Sequence, residues 1–235
     1  MKKWLLPKNE RPAAGLLDAI LQARGFTGDF LVPRLASLTD PDDIPGIAAA
    51  ARRVWEAGER GEKIVVYGDY DVDGVTGTTI LLKTLRRLGR EATYYIPDRY
   101  GEGYSLSTAA VRQLVAEGIK LIVTVDCGIA SGAEIALARE LGAEVVVTDH
   151  HNLPPVLPDT PWLVDPKMIA REHPAKYLAG AGVAFKFAWA LLRAAGRKDN
   201  VFLTSLLDLA ALGTLADVVP LTAENRVLAA HGLRL

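Results

Sequence analysis

The chain has 235 residues, half of them hydrophobic, and a formal net charge of −1 from 27 Lys and Arg against 28 Asp and Glu. That much apolar material fills a sizeable core and excludes disorder as the main state, for one large domain or a domain with an appendage. Balanced charge excludes a global pull toward nucleic acid or membrane, so any polyanion must be held by a local patch or by metal ions. The single Cys127 excludes an intramolecular disulfide and fits a reducing, cytoplasmic setting.

The opening MKKWLLPKNE has too short an apolar stretch for a signal peptide. Residues 1–60 read as a helical and loop segment: apolar periodicity near Gly15 to Arg24, turn chemistry in SLTDPDDIPGI, then a helix near Ile47 to Ala57. From Lys63 short β-rich runs alternate with helices. KIVVY (63–67) precedes a helix over 75–89, ATYYI (92–96) one over 107–118, and KLIVTV (120–125) one over 131–142; EVVVT (144–148) and WLV (162–164) complete the series. Near-continuous apolar strands alternating with helices predict an α/β fold: a parallel β-sheet of about five strands flanked by helices, with helical N-terminal and C-terminal segments.

Past residue 165 the strand signal stops, and helices are expected over 180–196 and 202–218. The stretch 201–221 is long enough to span a bilayer, but Asp208 and Asp217 are expensive in lipid, so a buried helix is expected and no membrane association. The chain ends on NRVLAAHGLRL in mid-pattern, which reads as truncation within a longer protein.

Open parallel sheets place ligands beyond the carboxyl ends of their strands. KIVVY is followed by Asp69, Asp71 and Asp73, KLIVTV by Asp126, and EVVVT by Asp149, His150 and His151. Each alone has a bland reading: an aspartate after a strand is an ordinary helix cap, and a histidine pair is ordinarily structural. Together they put acidic and imidazole groups from three strands at one edge, with no Lys or Arg among them. That arrangement is unstable when empty and predicts divalent cations. Mixed Asp and His donors suit Mn²⁺, Mg²⁺, Co²⁺ or Zn²⁺ and lean to Mn²⁺. The donors exceed what one ion needs, which points to two ions sharing a carboxylate. Such a pair, about 3.5–4 Å apart, activates water and clamps a phosphoryl group, so the reaction class is phosphoester or phosphoanhydride hydrolysis.

GDYDVDG (68–74), VDCG (125–128), DHH (149–151) and LGTLADVVPL (212–221) resemble the motifs of the DHH phosphoesterase superfamily. Within it, the GDYDxDG form, IPDRYGEGYSLS (96–107) and LAGAGVAFKFAWAL (178–191) are similar to the RecJ family of single-strand-specific 5′→3′ exonucleases. The resemblance runs from about Asp40 to the C-terminus and implies a DHH catalytic domain over 61–235. It implies that DHHA1-like and nucleic-acid-binding domains lie outside these residues. It also implies two Mn²⁺ ions, with Mg²⁺ as the alternative, and single-stranded DNA as substrate. Partners implied are a single-strand-binding protein or a helicase.

Position by position, the resemblance makes Asp71 a ligand of the first metal and Asp73 of the second. Asp126 bridges both; His150 and Asp217 complete the second. His151 contacts the scissile phosphate or protonates the leaving oxygen. Asp69 supports catalysis by orienting the loop, and Asp149 orients a ligand imidazole. Tyr67 stands where some branches carry a histidine ligand, so the first site is expected to have fewer protein donors. For substrate, Arg99 suits a phosphate and Tyr104 a stacked base, with a solvated loop as the alternative. Gly180 and Gly182 either offer N–H groups to phosphate or serve close helix packing. Lys83, Arg86, Arg87 and Arg90 read as a solvated helix face. Two other functions stay open: a hydrolase of small phosphates (oligoribonucleotide, cyclic dinucleotide, polyphosphate or pyrophosphate), and a decayed scaffold. The intact Asp and His set argues against decay.

Overall fold

The computed structural model describes residues 15–235; the MKKWLLPKNE segment lies outside them. The strands are β1 (Ile64–Gly68), β2 (Thr93–Tyr95), β3 (Leu121–Val125), β4 (Glu144–Thr148) and β5 (Leu163–Val164). They form one sheet in the order β2-β1-β3-β4-β5, every neighbouring pair parallel, as the strand–helix alternation predicts.

Strand alternation sends side chains to two separate cores. Ile64, Val66, Leu121, Val123, Val125, Val146 and Val164 join one cluster with α2 (Ile47–Glu59), α3 (Val72–Arg87) and α6 (Gly180–Ala194). Val65, Tyr67, Ile122, Val145, Val147 and Leu163 join the other with α4 (Thr108–Ala116) and α5 (Gly132–Glu140). Both faces are covered, which is why the strands read as unbroken apolar runs rather than as alternating ones. Ahead of the sheet, α1 (Leu16–Ala23) leads through a 3-10 turn at Pro41–Asp43 to α2. In α2, Ile47, Ala50, Ala51, Val54 and Ala57 make one buried face at helical spacing.

Two predicted helices are placed differently. The helix after β1 starts at Val72 rather than 75, because Asp71 caps it, accepting from the Gly74 amide at 2.9 Å. The single helix expected over 202–218 is two, α7 (Asn200–Thr204) and α8 (Leu207–Ala216). At the break the Thr204 and Ser205 hydroxyls donate to the carbonyls of Asn200 (2.8 Å) and Phe202 (2.7 Å), the local competition by which such side chains interrupt a ladder. A further helix, α9 (Ala223–Gly232), packs on α8. Among the described residues no helix is long and apolar enough to cross a membrane.

Gly46 joins the N-terminal segment to the sheet. Its φ is +81°, and a Cβ there would sit 2.2 Å from the backbone oxygen of Leu163 in β5. A left-handed alanine costs about 1–2 kcal/mol, and overpacking about 1–3 kcal/mol more. Gly46→Ala is therefore expected to lower unfolding stability by about 2–5 kcal/mol, read from urea titration. A change below the measurement error would show that α2 is free to shift off β5.

Candidate metal centre

The sheet register lines up the strand ends. Gly68 pairs with Val125, Val125 with Thr148, and Thr148 with Val164. The next residue on each of these strands is an aspartate: Asp69, Asp126, Asp149 and Asp165. Their amides continue the ladder, with Asp69 N donating to Val125 O (3.2 Å), Asp126 N to Thr148 O (3.0 Å) and Asp149 N to Val164 O (3.0 Å). All four side chains are buried. Asp126 has φ +62°, a left-handed conformation uncommon outside glycine and typical of constrained functional positions.

The helices supply the remaining groups. Asp73, in the first turn of α3, accepts from the amides of Gly180 (2.6 Å) and Ala181 (2.8 Å), so the positive N-terminus of α6 faces this carboxylate. Asp217 sits at the C-terminal end of α8. Donor atoms then gather in three overlapping groups, each within 4.8 Å: Asp69, Asp71 and Asp126; Asp126, His150 and His151; Asp73, His150 and Asp217. Asp126 and His150 each belong to two groups; a carboxylate such as Asp126 can be shared by two neighbouring ions, whereas the His150 nitrogen serves one of them.

The electrostatics favour a cation. Burial, then the neighbouring Asp73 and Asp71, push the Asp126 carboxyl well above its ordinary range. Burial also raises Asp73, aided by Asp217, and burial raises Asp69. Among the described residues no Lys or Arg forms an ion pair with any of these aspartates. His150 Nε2 lies 3.0 Å from Asp126 Oδ1, 3.7 Å from Asp217 Oδ2 and 3.8 Å from Asp73 Oδ2. Yet Nε2 and that Asp126 oxygen, like Asp69 Oδ1, are buried without a correctly directed hydrogen bond. Lone pairs that converge without bonding one another suit a shared divalent ion, and the Asp and His donor set suits Mn²⁺.

Asp149 and His151 form a separate dyad beside these donors. Asp149 Oδ1 lies 2.7 Å from His151 Nδ1, and its carboxylate also accepts from the amides of His150 (2.7 Å) and Ile129 (2.9 Å). Burial opposes its charge, but the bonds from His151 and the backbone outweigh burial and hold Asp149 below its ordinary range. The same bond to Asp149 pushes His151 up to about 9 against the opposing effect of burial. The Tyr104 hydroxyl donates to the Asp126 carbonyl (3.2 Å) and lies 3.1 Å from His151 Nδ1.

For several residues singled out from sequence the structure favours one of two readings. Tyr67 points into the α4–α5 core, stacked on Tyr95 at 5.1 Å, and donates its hydroxyl to Ser105 O at 3.0 Å. Asp69 lies with Asp71 and Asp126 in one of the candidate donor groups. The Gly180 amide is taken by Asp73 and so is not free for phosphate. A Cβ on Gly180 would lie 2.7 Å from Asp126 atoms, and one on Gly182 would lie 3.0 Å from Leu178; both glycines serve close packing of α6. Tyr104 stands edge-on to His151 and bonds the site, while exposed Arg99 lies over the Tyr70 ring at 5.2 Å. On α3, Lys83 and Arg86 are exposed and Arg87 pairs with Asp199. Asp165 was not singled out, although a carboxylate after a strand-like run was the signal. It is fully buried, caps the Lys167 amide at 2.8 Å, and is pushed up to about 7 by burial, with one oxygen unpartnered.

If these groups hold cations, Mn²⁺ at 100 times its dissociation constant should stabilise the protein by about 2.7 kcal/mol, seen as a rise in Tm. Asp126→Asn removes a carboxylate that is hard to ionise in the fold. In the presence of chelator it should therefore raise stability, and with Mn²⁺ the rise in Tm should be lost. Wild-type stability indifferent to Mn²⁺ would sink the assignment.

Residues 63–214 match the model of the DHH family, N-terminal domain. The single-stranded-DNA-specific exonuclease RecJ of Bacillus subtilis is 46% identical across 93% of this chain, and that of Haemophilus influenzae 39% identical across 99%. The chain spans 28% and 43% of those two proteins. Among solved structures, an exonuclease RecJ bound to manganese superposes with a TM-score of 0.76 at 40% identity, covering 86% of this chain and 49% of that one. RecJ from Thermus thermophilus in complex with Mn²⁺ gives 0.74 at 38% identity, covering 91% and 30%. With its five-stranded parallel sheet and its Asp and His row at the carboxyl edge, the chain belongs to the DHH family and is similar to the RecJ exonucleases over part of their length.

Proposed function

We propose that this chain carries the catalytic centre of a Mn²⁺-dependent exonuclease that removes nucleotides from the 5′ end of single-stranded DNA, in the cytoplasm. The observation that carries the reading is the overlap of three donor groups through Asp126 and His150 at one sheet edge. The RecJ relatives, and the manganese in two of the similar structures, support it.

Asp69, Asp71 and Asp126 would hold one ion, and Asp126, Asp73, His150 and Asp217 the other, with Mg²⁺ as a second choice of metal. When bound, the ions supply Lewis-acid polarisation of the phosphoryl group and a lowered pKa for the attacking water. The protein's own groups do the rest. The α6 N-terminus fixes the Asp73 carboxylate, so a donor is set before substrate arrives. Asp149 keeps the His151 ring oriented and favours its protonated form, leaving Nε2–H to be offered to the leaving 3′-oxygen. The Tyr104 hydroxyl, 3.1 Å from Nδ1 and 3.3 Å from Nε2, limits rotation of that ring. Exposed Arg99, on the loop that carries Tyr104, would meet a backbone phosphate.

The test is to supply the protein with Mn²⁺ and either 5′-labelled or 3′-labelled single strands, beside cyclic dinucleotide and pyrophosphate. Mononucleotides released from the 5′ end are expected; faster turnover of a small phosphate would overturn the reading in favour of a small-substrate hydrolase. His151→Ala should lower kcat by about 10²–10⁴-fold while Mn²⁺ binding is retained. Equal kcat in that variant would remove His151 from the proton-transfer role.

A further inference from the structure

Asp217 occupies an unfavourable position. It lies at the C-terminal end of α8, where exposed carbonyls oppose a negative charge, and it faces the buried Asp73. The residue after it, Val218, has φ +61°, a real outlier for a β-branched side chain, and Ala223 at the start of α9 has φ +45°. Between them, 218–222 has no regular structure of its own. Left to itself, this carboxylate would relax toward solvent, so some other group must hold its loop.

One buried side chain reaches that loop from α9. Asn225, 2% exposed, donates its Nδ2 hydrogens to Tyr177 O at 2.5 Å and to Pro220 O at 3.2 Å. Pro220 lies three residues after Asp217, and Tyr177 three residues before Gly180, whose amide holds Asp73. A single amide thus ties the segment leading away from one candidate donor to the segment leading into the amides that fix another. The first turn of α9 is itself anchored. Glu224, 1% exposed, is paired with fully buried Lys186 of α6 at 2.7 Å, and Thr39 bonds both partners. Arg226 donates to Phe30 O at 2.6 Å.

We propose that Asn225 is a positioning residue of the metal centre, holding the Asp217 loop and the α6 entry at the separation at which Asp217, Asp73 and His150 share one cation. The inference rests on the two-metal reading above and adds a residue that touches neither metal nor substrate. A carboxamide suits the task because two backbone carbonyls need two N–H donors from one side chain, which Ser, Thr and Asp do not supply.

The test uses Mn²⁺ binding, followed by the electron paramagnetic resonance signal of the free ion, in wild type, Asn225→Ala, Asp217→Ala and the double variant. Asn225→Ala should weaken binding about 10-fold or more, the usual effect of losing an outer support of a ligand. It should weaken binding by a clearly smaller factor in the Asp217→Ala background than in wild type, because part of its effect runs through that carboxylate. A merely structural role predicts losses that multiply, and that result overturns the proposal. So does full affinity in Asn225→Ala when Asp217→Ala is weakened. Full affinity in Asp217→Ala itself would instead refute Asp217 as a donor and remove the basis of the inference. Circular dichroism and Tm check the fold; should Asn225→Ala not fold, Asn225→Asp keeps the shape without the amide donors and is expected to weaken Mn²⁺ binding in the same way.

Discussion

Like charges buried side by side are the constraint around which this molecule is arranged. In a parallel sheet with matched register, the first residue past each strand falls into one row, and here that row reads Asp69, Asp126, Asp149 and Asp165. Four carboxyl groups out of water in a line would raise one another's pKa and unsettle the fold unless each found a partner. Two partly do so within the protein: Asp149 through His151 and backbone amides, Asp165 through the Lys167 amide. Asp69 and Asp126 do not: each keeps a buried oxygen without a hydrogen bond, that of Asp126 3.0 Å from His150 Nε2.

The helices respond to that row. Glycine at 180 lets α6 close directly onto Asp126, and the amides behind it take up Asp73. The far side of α6 carries Lys186, whose pairing with Glu224 binds α6 to α9. Burying an ion pair of this kind contributes little net stability, since desolvation of both charges offsets their attraction. Its value is geometric: it sets α9, and so Asn225, against the loop of Asp217. The centre therefore depends on contacts well outside its donor atoms, as in metal sites generally, where the groups behind the ligands decide their aim.

Much of this could be read from the chain alone, because parallel strands covered on both faces leave an unbroken apolar signature, and because their carboxyl ends are where such sheets bind ligands. KLIVTV followed by Asp126 and EVVVT followed by Asp149, His150 and His151 are legible for that reason. Helix boundaries were less so: Asp71 could be a ligand or a cap, and in space it is both a cap and a member of a donor group. Tyr67 looked like a vacant ligand position because it aligns with one, yet strand alternation turns it into the opposite core. Gly180 looked like a phosphate cradle because a glycine-rich helix start can be one; the cradle holds Asp73 instead.

By itself the sequence determined the α/β architecture, the edge at which the acidic and imidazole groups meet, and the donor types that select a divalent cation. These follow from local pattern, since unbroken apolar runs, intervening helices and strand-end residues are properties of short segments. Only the tertiary structure decided which carboxylates lie close enough to share an ion, that Asp69 stands among the candidate donors, that Asp165 completes the row, and that Asn225 joins the segments of Asp73 and Asp217. Those relations connect residues far apart in the chain, as Asp73 and Asp217 are. They depend on register, helix approach and backbone direction, which no short stretch of the chain encodes alone.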